Sequence, residues 1–378
     1  MKRKAFLTLA LAFFVVVLLT GCSQQGSSQG GNQGSSQQAE SNQTQDQSAA
    51  TKIITDMAGR EVEVPAAIDK VYSTSATGSV FLYTLAPQKL AGWNSELREE
   101  EKRFVAPEYQ NLPDLGRWKG TTSTGSIEEL LKAAPDIIIS VGDVSPQYIG
   151  DADEIQKLTG IPVIMLDGSL KNTAEAYRFL GGLIGEAERA EQLAAYCDKT
   201  IEDINANYQS ITDDERVRVY YAEGVEGLET EISGTVNSEA FDLSGAKNVA
   251  VPATPDVRRM QVSIEQVLAW DPEVIIISTD GDMKHTVYEQ MLKHKSWANI
   301  NAVKNGAVYE IPSAPYDWIN RPPSVARFIG VQWLSSLLYP NVAANDIRQD
   351  VRDFYSLFFA YDMTDSEIDE LLATSMSK

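Results

Sequence analysis

The chain has 378 residues and a mass of 41.5 kDa, long for one ordinary domain and suited to two. Its formal net charge of −21 makes it a poor partner for nucleic acid or an anionic membrane face. Two Cys exclude a disulfide scaffold, and two His, His285 and His294, leave little for a histidine-based metal site or a histidine base.

The N-terminus reads as an export signal. Lys2, Arg3 and Lys4 precede an apolar run of 15 residues, 5–19, which is short for a membrane span. Leu19-Thr20-Gly21-Cys22 closes it. Small residues before a Cys resemble the lipobox of bacterial lipoproteins, in which cleavage frees the Cys for a diacylglycerol; a plain signal with a chance Cys is the alternative. Residues 23–50 are mostly Ser, Gln, Gly and Asn, with nothing apolar larger than Ala, so they cannot bury enough surface to offset chain entropy. The expected layout is a signal peptide over 1–21 and a tether over 22–51. The body would work just outside the membrane, lipid-anchored through Cys22, and Cys197 would be left without a disulfide partner.

The body alternates short apolar runs with helical stretches. Asp56-Met57-Ala58-Gly59 is turn chemistry inside a hairpin ending at Pro65. Strands are predicted at 71–73, 90–93, 137–141, 163–166, 217–222, 274–278 and 307–311. This pattern argues an α/β fold with mostly parallel sheets. From about 188 to 209 there is no Gly or Pro, and Leu193, Cys197, Ile201, Ile204 and Tyr208 form one apolar stripe. That predicts a long helix of some six turns, either a spine joining two lobes or a helix within one domain.

The chain also repeats itself. Ser126-Ile127-Glu128-Glu129 and Ser263-Ile264-Glu265-Gln266 each open a short helix, followed by a Pro-led turn and an apolar strand, 137 residues apart. Both fit a capping box, in which the residue three past the cap reaches back to it. Glu128 and Glu265 are left over. They either complement the helix dipole or form a matched pair of docking charges.

A lipobox, a tether, two α/β lobes and a helical spine together resemble the substrate-binding lipoproteins of ABC importers, and within them the iron-siderophore and cobalamin group. The resemblance runs from about 52 to 345. It rests on Asp56 to Arg60 with Pro65, on 126–139, on Gly160-Ile161-Pro162-Val163, on 302–309 and on Arg321-Pro322-Pro323-Ser324. It implies two similar lobes with mostly parallel sheets joined by a long rigid α-helix, the helical-backbone type of periplasmic-binding-protein fold. The segments are an N-terminal lobe over 52–172, a spine over 173–212, a C-terminal lobe over 213–345 and a helical extension over 346–378. In the family one glutamate per lobe docks on the permease, and Glu128 and Glu265 match those positions. The implied partners are an ABC permease and its ATPase, with the protein a monomer. The implied cargo is a ferric siderophore-like chelate; molybdate or tungstate, haem and cobalamin are alternatives. No resident cofactor is expected.

The cleft of such a fold lies at strand-end loops. Thr77 in the loop 74–79, Arg117 and Trp118 are expected there from the first lobe. Tyr221, Arg258, Arg259, Tyr316, Trp318 and Arg321 are expected from the second. Arg and Tyr suit a small anionic, metal-containing ligand, since guanidinium is always charged and an aromatic offers broad surface at little entropy cost. Against this, Arg258 or Arg259 could simply pair with Asp256, and Trp118 could be core. Bare ferric iron would need tyrosinates from Tyr220, Tyr221 and Tyr316. No G-x-S-x-G, P-loop, H-E-x-x-H or Rossmann fingerprint appears, so an enzyme is not expected. An adhesin would instead need a large exposed apolar patch and no cleft.

Overall fold

The computed structural model describes residues 50–118, 123–209, 211–251, 259–278, 285–343 and 345–377. The first feature is the hairpin of β1 (Thr51–Thr55) and β2 (Glu61–Pro65). Its turn is organised by buried Asp56. Oδ1 accepts from the amides of Ala58 and Arg60, at 3.0 and 2.9 Å, and Oδ2 accepts from Arg60 and the Met165 amide. Gly59 sits at φ 78, the left-handed region the turn needs. β2 alternates, turning Val62 and Val64 inward.

Two separate parallel sheets follow. The first has order β3-β4-β5, with β3 (Val71–Ser73), β4 (Ile137–Gly142) and β5 (Val163–Asp167). The second has β6 (Arg218–Ala222), β8 (Lys247–Asn248), β10 (Val274–Ile277) and β11 (Val308–Glu310), in order β11-β10-β6-β8. Central strands are apolar throughout because helices cover both faces. β7 (Glu229–Glu231) and β9 (Arg259–Gln261) form a small antiparallel pair that alternation did not reveal, because both are charged. The strand predicted at 90–93 is only two isolated bridges, Val71 to Leu90 and Trp93 to Asp114.

The helices are α1 (Ala76–Leu85), α2 (Glu99–Lys102), α3 (Ile127–Ala133), α4 (Pro146–Thr159), α5 (Thr173–Ile184), α6 (Ala187–Tyr208), α7 (Glu239–Leu243), α8 (Ile264–Trp270), α9 (Thr286–Lys293), α10 (Asn301–Lys304), α11 (Arg327–Leu338), α12 (Ile347–Phe359) and α13 (Asp365–Leu372). The repeat thus becomes α3-β4 in one lobe and α8-β10 in the other. Each serine cap accepts from the third amide of its helix, Ser126 from Glu129 and Ser263 from Gln266.

The spine helix α6 spans roughly 33 Å at 1.5 Å per residue. Leu193, Cys197 and Ile204 are buried, while Ile201 and Tyr208 are half-buried. Gly181 of α5 lets the two helices close, since a Cβ there would lie 2.2 Å from that of Ala190. On its other side α6 meets α11, through Tyr196 donating to Gln332 (2.9 Å) and Tyr208 against Tyr339. The C-terminal segment is no appendage. Phe354, Tyr355, Phe358 and Phe359 of α12 enter the core of the first lobe, with rings of Tyr355 5.4 Å from Phe104 and of Phe358 6.4 Å from Tyr177.

Candidate ligand-binding cleft

Parallel strands place their C-terminal ends on one side of each sheet, and the loops there carry the candidate site residues. In the first lobe, β3 runs through Thr74 and Ser75 straight into α1. The turn is tight: a Cβ on Gly78 would lie 2.1 Å from Ser73 Oγ. Buried Asn94 fixes the neighbouring loop, donating to the carbonyls of Ser73 and Gly116, both at 2.8 Å. The Trp118 amide donates to the Thr74 carbonyl (2.9 Å), and its indole lies on Gly125, where a Cβ would come within 1.9 Å of Nε1. Arg117 is exposed at this rim, and Thr77 is half-buried in the first turn of α1.

Four buried polar atoms in the loops after β3 and β5 and at Trp118 have no hydrogen-bond partner among the described residues: Thr74 Oγ1, Ser75 Oγ, Trp118 Nε1 and Ser169 Oγ. Thr74 is 1% exposed. Ser75 is the N-cap of α1 yet makes no cap bond, and the first turn of α1 holds no acidic residue. Hydroxyls, an indole N–H and an open helix N-terminus are neutral groups of the kind that can receive an anion. Ser169 and Asn94 were missed in the sequence, although Ser169 follows β5 much as Thr74 follows β3.

The opposite wall has different chemistry. Glu223, just past β6, is buried and receives Arg321 at 2.8 Å and Arg259 at 3.5 Å; Arg259 also pairs with Glu229 at 2.7 Å. Glu231 is held by Asn237 (3.0 Å). Burial pushes its carboxyl up, against the effect of Asn237. Burial likewise pushes Asp317 up to about 6, even though it accepts from the amides of Ile319 and Asn320. Arg259 and Arg321 are therefore engaged by this lobe's own carboxylates.

The remaining expected residues divide. Trp318 is fully buried, its indole donating to Tyr355 (3.0 Å) and its ring edge-on to Trp333, so it supports the site from the core and does not line it. Tyr316 is buried near Arg98 and Glu101, away from Glu223. Tyr220 and Tyr221 occupy opposite faces of β6: Tyr220 donates to the Gly227 carbonyl in one core, while Tyr221 sits near Glu223 and Ser278. Because Tyr220 and Tyr221 face opposite sides of β6, these two phenols cannot share one ferric ion. Arg258, Asp256 and Cys22 lie outside the described residues. His285 pairs with buried Glu310, and no group of His, Cys, Asp or Glu fit for a metal occurs among the described residues. Glu128 and Glu265 are both exposed. Glu265 is not spare, since its own amide and the Ser263 hydroxyl hold its carboxyl below the usual range.

One further residue ties the lobes together. Arg327 of α11 is 2% exposed and donates to the Gly168 carbonyl of the first lobe, and to Val236 O (3.3 Å) and Glu239 (3.0 Å) of the second. Glu239 also accepts from the Leu170 amide at 2.9 Å.

Two α/β lobes, a long helical link and buried polar groups at the strand-end loops are the features of a solute-binding protein. The chain belongs to the periplasmic binding protein family, whose profile matches residues 71–315. It is similar to the molybdate-binding protein MolA of Haemophilus influenzae, 26% identical with 82% of this chain and 91% of that one covered. It is also similar to the vitamin B12-binding protein of Vibrio cholerae, 28% identical over 59% of this chain and 76% of that one. Among solved structures, an ABC transporter solute-binding protein from Sulfurospirillum deleyianum superposes with a TM-score of 0.77 at 30% identity, covering 85% of this chain and 99% of that one. The chain is thus an extracytoplasmic binding component of an ABC import system, working with a permease and ATPase, and is not an enzyme. No described helix is long and apolar enough to cross a membrane.

Proposed function

We propose that the chain captures a small tetrahedral metal oxyanion, molybdate or tungstate, on the first lobe's donors and delivers it to its importer. The carrying observation is the set of buried, unpartnered neutral donors in the first lobe, at the acid-free N-terminus of α1 and in the loops at Trp118 and Ser169. Hydroxyl, indole and helix-end N–H groups receive an oxyanion without adding counter-charge, and burial strengthens each hydrogen bond to it. The similarity to a molybdate-binding protein over most of both chains supports the same reading.

A ferric chelate, placed first by the sequence, becomes the second reading. It is favoured by Arg259 and Arg321, whose side chains stay 36% and 31% exposed and could turn to a chelate's carboxylates. Delivery runs through Glu128 and Glu265 on the permease, and anchoring through Cys22. Calorimetric titration with molybdate, tungstate, sulfate, a ferric siderophore, haem and cobalamin tests the proposal. Binding of molybdate or tungstate alone supports it; binding of a chelate with no response to either oxyanion overturns it.

A further inference from the structure

Large apolar side chains at the surface are ordinary when scattered, and several here are scattered. Those on α3 and α8 are not. Ile127 and Leu131 are 37% and 47% exposed on α3, and Leu268 is 36% exposed on α8. Ile264 and Leu268 occupy the positions of Ile127 and Leu131 in the internal repeat, 137 residues on. The position between them on the inner face, Leu130 in one lobe and Val267 in the other, is fully buried in both. Each helix therefore has one inward anchor to its own lobe and one exposed leucine; Ile127 is exposed beside Leu131, while Ile264 is half-buried against the core of its own lobe. Within each isoleucine–leucine pair the spacing is four residues, and the leucine lies three residues from Glu128 or Glu265, so acid and apolar surface are contiguous. Ile264 additionally lines a cavity of 260 Å³ shared with Leu228, Val287, Met291 and Trp297.

We propose that Leu131, with Ile127 beside it, and Leu268 are the apolar anchors of docking, each leucine received by one of two like copies of a permease surface that carries apolar side chains beside a basic one. This deepens, and rests on, the delivery role assigned to the two glutamates. The repetition of the same patch in both lobes fits a partner whose own surface is duplicated. Two acids with apolar neighbours call for cations flanked by apolar groups. The work divides: the glutamates govern encounter and its salt dependence, while the leucines, desolvated on docking, govern how long the complex lasts.

The test uses the full chain, the purified permease–ATPase complex in nanodiscs, and surface-plasmon kinetics with and without molybdate. Leu131→Ser/Leu268→Ser is compared with Glu128→Ala/Glu265→Ala and with Leu158→Ser, an exposed leucine on α4 outside the repeat. The leucine double variant is expected to dissociate at least about tenfold faster with an unchanged salt slope. The glutamate variant is expected to associate more slowly with a flattened slope, and Leu158→Ser to behave as native. Thermal melts check that all variants stay folded. If native protein binds and the leucine double variant binds equally well, the anchor assignment is overturned while the importer reading stands. If native protein does not bind the complex, both fall. If the leucine variant changes only self-association, the patch belongs to a second copy of this chain and the inference is overturned.

Discussion

Replacing Thr74 by Val separates a ligand-binding hydroxyl from a structural one. Thr74 Oγ1 is buried without a partner among the described residues, while its amide donates to the Ile139 carbonyl at 3.0 Å and its carbonyl accepts from Trp118. Valine has nearly the same shape and leaves both backbone bonds in place. Removing an unpaired buried hydroxyl should raise the stability of the empty protein by up to about 1 kcal/mol, because such a group costs about 1–3 kcal/mol when unsatisfied. The same change removes a hydrogen bond to a charged ligand, worth about 1.5–3 kcal/mol, so molybdate affinity should fall roughly 10- to 150-fold. Urea unfolding of the ligand-free protein and calorimetric titration with molybdate read the two effects separately. A variant that is destabilised by more than about 1 kcal/mol, or that binds molybdate as native does, refutes the placement of this hydroxyl among the ligand's donors.

Arg327→Ala should destabilise the protein by about 2–4 kcal/mol, since it strands half-buried Glu239 and the carbonyls of Gly168, Val236 and Ser324, and Arg327→Met should recover part of that through its stem; urea midpoints decide, and a loss under about 1 kcal/mol would remove the latch. Asp317 has its folded pKa raised to about 6, above the unfolded value, so the folded state holds the extra proton; stability from this group is full below about pH 4 and declines as pH rises towards about 6. Asp317→Asn should flatten that part of the stability–pH curve, and an unchanged slope would contradict the assignment. Glu128→Ala with Glu265→Ala should abolish uptake in cells while leaving ligand affinity intact; normal uptake would end their docking role.

Local signals carried much of the architecture. The turn at Asp56, the serine caps at 126 and 263 and the uninterrupted stripe of α6 are written in residues a few positions apart, so they were readable in one chain. What was not readable depends on distant partners. Nothing around Trp318 reveals that Tyr355 waits beneath it to take its N–H, and nothing around Arg321 reveals Glu223, 98 residues earlier. Arginines at strand-end loops of an acidic protein suggest ligand contact; the fold supplies two of them, Arg259 and Arg321, with internal carboxylates. The donors at Thr74 and Ser169 carry no charge and look like ordinary turn residues, so only their burial without partners marks them.

The position of α12 has a consequence for how the molecule is made. Tyr83, Phe104 and Tyr177 precede the whole second lobe in the chain, but their aromatic neighbours Tyr355, Phe358 and Phe359 follow it. The first lobe is therefore left with a hydrophobic vacancy until the second has been synthesised. Its maturation waits on α12, and a chain cut short before residue 347 would lack the plug for a lobe whose own strands are all present.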